Sequence, residues 1–87
     1  MFKNEGEKNK HWSDYAKEHL VGKTIESARW MTKDEAKHLG WYSRPVVIQF
    51  TDGSIAWPSQ DDEGNDGGAL FGQAKDGDDL TFPVFRD

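Results

Sequence analysis

Cysteine is absent from this chain. Neither a disulfide nor a thiolate-held metal can therefore staple the fold. The absence fits a reducing, cytoplasmic setting. Apolar runs long enough to span a membrane are also missing, as is a leader pattern at the start. A soluble, non-exported protein with no membrane contact is the expectation. Basic charge is scarce in the second half: residues 1–44 carry nine Lys/Arg against seven Asp/Glu, and residues 45–87 carry two against nine. The halves are thus +2 and −7, giving the net −5. This polarity counts against a general nucleic-acid binder, which needs a clustered basic excess.

What is present begins with size. The 87 residues suffice for one domain with a small core. Aromatic residues make up 13 %, including four Trp, and large side chains are how a small core gains buried area.

Pro45 to Pro58 (PVVIQFTDGSIAWP) reads as a β-hairpin. Asp52-Gly53 suits a two-residue type I′ turn. That turn pairs Thr51 with Ser54, Phe50 with Ile55, Gln49 with Ala56 and Ile48 with Trp57. Alternation then places Val46, Ile48, Phe50, Ile55 and Trp57 on one inward face. Val47, Gln49, Thr51, Ser54 and Ala56 take the other.

Around this hairpin the remaining chain falls into short pieces. Met1–His11 is polar and reads as a frayed, flexible charged tail, leaving 12–87 as the domain. Trp12–Val21 has helical spacing, with Trp12, Tyr15, Ala16, His19 and Leu20 on one face. Ser13 or Asp14 is the expected cap and Gly22 the terminator. So short a helix should lie on the sheet. Lys23–Met31 is expected to be a strand. Thr32-Lys33-Asp34-Glu35 is a capping box opening a two-turn helix through Ala36 and Leu39 that ends at Gly40. Pro58 stops the hairpin, and Ser59–Gly68 is a loop with four acidic residues and three glycines. Ala69–Gly72 reads as a short strand and Lys75–Asp79 as a turn. Leu80–Phe85 alternates, with Leu80, Phe82 and Val84 on one side.

The sum is an α+β fold: a small antiparallel sheet of four or five strands, curled toward a barrel, with one or two short helices. Ile25, Trp30, Leu39, Val46, Ile48, Phe50, Ile55, Trp57, Leu70, Phe82 and Val84 are the expected core.

Candidate sites are few. Asp61, Asp62, Glu63 and Asp66 form an acidic loop whose oxygens would suit a hard cation. The calcium-loop spacing fails, with Asp66 where glycine is required and Gly72 where a bidentate Glu is required. A turn-forming, solvated loop is favoured over a metal site. The histidines His11, His19 and His38 show no ligand spacing. There is no nucleophile elbow, phosphate loop or dinucleotide fingerprint. No catalytic residue, metal or cofactor is therefore expected. Trp41, Tyr42 and Arg44 are of the residue types enriched at interface hot spots and are the candidate partner-binding residues. The alternative is that Trp41 packs on the hairpin and Arg44 bonds the acidic loop.

Several strings together resemble a group of small, single-domain, uncharacterised bacterial and phage proteins: RWMTKDEA at 29–36, LGWYSRP at 39–45, the Asp-Gly turn, PSQDDEGN at 58–65 and GALF at 68–71. The resemblance implies a complete small protein of bacterial or phage origin and carries no activity to any residue. The leading expectation is a non-enzymatic protein-interaction module, in a phage setting one that modulates a host protein. The alternatives are a nucleic-acid-associated small barrel and an acidic-loop metal binder. Homo-oligomers through an unpaired edge strand are a further expectation.

Overall fold

The computed structural model describes all 87 residues. Two helices and five antiparallel strands run in the order α1 (Glu5–Leu20), β1 (Ile25–Trp30), α2 (Lys33–Leu39), β2 (Val46–Phe50), β3 (Ile55–Ala56), β4 (Leu70–Gln73) and β5 (Asp79–Phe82). The α+β class is as expected. The strands form two separate sheets, β1-β2-β3 and β4-β5, and neither closes into a barrel.

The hairpin forms, but its turn holds three residues. Phe50 N–H donates to Ser54 O at 2.9 Å, and Gly53 N–H donates back to Phe50 O at 3.0 Å. Thr51, Asp52 and Gly53 lie between, with Gly53 at φ +91°. This is the three-residue loop with a left-handed third position, which Asp-Gly also satisfies. The register therefore shifts by one: Gln49 opposes Ile55 and Ile48 opposes Ala56. Opposed residues share a face. Ile55 and Trp57 thus join Val47, while Ile48 lies on the opposite side with Ala56. The expected five-residue stripe is split between two faces.

Both faces of the sheet are used. On the Val47 side, α2 packs through Met31, Ala36, Trp41 and Val47, the buried core cluster. Val46, Phe50 and Pro45 are buried as well. On the Val46 side, Trp30 stacks on Phe85 at 4.9 Å and donates its indole N–H to Pro83 O at 2.8 Å. The expected core is corrected accordingly: Ile25, Leu39, Ile55 and Trp57 are exposed, and Trp30, Ile48, Leu70, Phe82 and Val84 are half-buried.

Helix α2 is built as the capping box requires. Thr32 Oγ1 accepts from Glu35 N–H, Glu35 accepts from Thr32 N–H, and Gly40 ends the helix at φ +76°. Helix α1 differs from expectation. It starts at Glu5, with Asn4 as cap, so residues 5–11 are helical instead of frayed. Asn4 caps by accepting Glu7 N–H at 2.8 Å, and Lys10–Asp14 adds an i,i+4 ion pair. None of its residues is buried, so it does not lie on the sheet.

Candidate functional site

Two neighbouring surfaces surround α2. The first is an open groove of about 390 Å³. Met31 and Val47 line its base. Asp34, Glu35, His38 and Leu39 come from α2, and Ile55 and Trp57 from the hairpin. The one-residue register shift is what brings Ile55 and Trp57 here. They are 50 % and 37 % exposed, and Leu39 is 45 % exposed. Arg29 fixes the α2 wall by donating to both oxygens of Glu35, at 2.8 and 3.0 Å. That guanidinium, helped by Thr32 N–H, holds the Glu35 carboxyl down at about 2. Asp34 makes no ion pair.

The second surface holds the residues singled out in the sequence. Trp41 is buried and donates its indole N–H to Gly64 O at 2.7 Å. Tyr42 is 88 % exposed. Arg44 does not bond the acidic loop. It donates to both oxygens of Asp87 and to Met31 O, and stacks on the Phe85 ring. Trp41 and Arg44 thus hold structure together, and Tyr42 alone of the three presents its side chain outward.

The acidic loop divides in the same way. Asp66 accepts Tyr42 N–H at 3.1 Å, Ser43 N–H at 2.9 Å and Gly67 N–H at 2.8 Å. Burial pushes its carboxyl up, but these backbone donors outweigh burial and leave it below the usual carboxylate range. Asp61 accepts from Asn65 and from Glu63 N–H, closing the loop on itself and lowering its own pKa. Gly67 is buried against Pro45, where an added Cβ would come within 2.7 Å of Pro45 Cδ. Asp62 and Glu63 direct no side-chain bond into the protein and face solvent. No three His, Asp or Glu side chains come together as a metal cage.

Chemically, the groove offers apolar surface with carboxylates on its rim. Sequence reasoning assigned Leu39, Ile55 and Trp57 to the core and so missed it. The signal was the turn: counted as three residues, the same alternation puts Ile55 and Trp57 beside Val47.

No family model, curated protein or solved structure matches this chain. No helix is long and apolar enough to cross a membrane.

Proposed function

We propose that this is a non-enzymatic protein-interaction module whose docking face is the groove between α2 and the β2–β3 hairpin. The observation that carries the reading is the cluster of Leu39, Ile55 and Trp57, large apolar side chains left open over a base of buried Met31 and Val47. Contiguous exposed apolar surface with a polar rim is the mark of a partner site. The occupant is an amphipathic helix. Its apolar residues fill the groove, and its polar residues meet Asp34 at the rim. Tyr42 lies outside the groove and serves as the contrast. A cytoplasmic setting in a bacterium or phage belongs to the same reading.

Capture from bacterial extract with the wild type, Ile55→Asp and Tyr42→Ala tests this. A protein retained by the wild type and by Tyr42→Ala but lost by Ile55→Asp is the expected result. No captured protein together with no self-association of the chain, or an unchanged set with Ile55→Asp, overturns the groove. Ile55 is half-exposed, so the variant folds, and an unchanged circular dichroism spectrum checks that.

A further inference from the structure

Helix α1 is the other surface without a partner. Its 16 residues carry one continuous aromatic stripe. His11 meets Trp12 edge-on at 4.9 Å, Trp12 meets Tyr15 at 5.4 Å, and Tyr15 lies against His19 at 4.4 Å. Trp12, Tyr15 and Leu20 each leave about half of their surface to solvent. Isolated helices of this length are marginal in water, and tertiary cover usually supplies their stability. In the single chain no α1 residue is buried, and the cover shown is Phe2 lying against His11 at 4.9 Å.

We propose that the α1 stripe of one molecule occupies the groove of a second copy, in a two-fold exchange. The inference rests on the groove reading above and names its occupant. Three features select a second copy. The first is complementary chemistry. The groove takes the apolar face of a helix, and α1 presents such a face in Trp12, Tyr15 and Leu20, each about half exposed. The second is reach. Only Val21 to Thr24 separate α1 from β1, and Lys23 is pinned to the hairpin turn at Asp52 and Ser54. A short, anchored connection resists folding the helix back on its own groove and favours exchange between copies. The third is area. One helix-in-groove contact of three half-exposed large side chains on each wall covers on the order of 450–750 Å², counting both surfaces. That falls short of the roughly 1,200–2,000 Å² of a stable interface, and two such contacts related by symmetry reach it.

Sedimentation velocity of the full chain, from micromolar to near-millimolar concentration, tests the exchange. A species of twice the 9.9 kDa chain mass is expected to grow with concentration. The double variant Trp12→Ala/Tyr15→Ala and the groove variant Ile55→Asp should each weaken it at least tenfold. Lys10→Ala, which removes a charge beside Asp14 and leaves the stripe intact, should not. Since α1 buries nothing in the single chain, its variants leave the fold intact. Mixing the α1 variant with the groove variant should restore a weaker dimer through the one intact contact. A monomer at every concentration overturns the exchange, as does a dimer indifferent to both variants. Either result leaves the groove itself to the capture experiment, where loss of a partner with Ile55→Asp would still uphold it.

Discussion

Asp66 shows how much one side chain can organise. Its carboxylate accepts three backbone N–H groups, two of them 23 and 24 residues away in sequence. Asp66→Ala leaves those donors without an acceptor and should lower unfolding free energy by about 2–3 kcal/mol in urea. Its neighbour Asp62 faces water, so Asp62→Ala should stay within about 0.5 kcal/mol in the same assay. Thr32→Ala removes the α2 cap and should cost about 1 kcal/mol. Glu35 adds a pH dependence. Its folded pKa of about 2 lies below the ordinary 4.5. A carboxyl depressed on folding stabilises above its unfolded value, and that contribution fades as pH falls from 4.5 toward 2. Glu35 and Arg29 are both over two-fifths exposed, so solvent screens the pair and the effect is small. Thermal midpoints should fall across that window in the wild type and fall less steeply in Glu35→Gln.

Elements differ in how far the sequence disclosed them, and range explains the difference. Helix α2 was readable because its cap, box partner and terminator lie within nine residues of one another, at Thr32, Glu35 and Gly40. Strand β1 and the short β4 and β5 were readable from composition and turn residues. The hairpin was readable as a hairpin, but Asp-Gly suits both a two-residue and a three-residue turn, so register was not. The detachment of α1 was hidden too, since an amphipathic pattern states that a face wants cover and not what covers it. Asp66 was hidden because its backbone partners are remote in sequence. Within this scale, Gly67→Ala forces a Cβ onto Pro45 and the Ser43 carbonyl. It should cost roughly 1–3 kcal/mol in denaturant unfolding, as overpacking does.

Across the whole molecule, the radius of gyration is 15.0 Å. A compact chain of this length would have about 12 Å. The excess belongs with a helix that stands clear of the sheets. Association that covers α1 would couple stability to mass action. The thermal midpoint should then rise with protein concentration, and amide exchange along residues 5–20 should slow in concentrated samples. The count of residues in the turn at Thr51–Gly53 reaches just as far. Because a strand shows alternate sides at alternate positions, a one-residue slip in pairing there acts by parity. A slip to a two-residue turn within the same sequence would pair Phe50 with Ile55, swing Ile55 and Trp57 to the far side and erase the docking face. A variant whose turn closes on two residues in place of three would therefore lose the wild-type partner while keeping its hairpin.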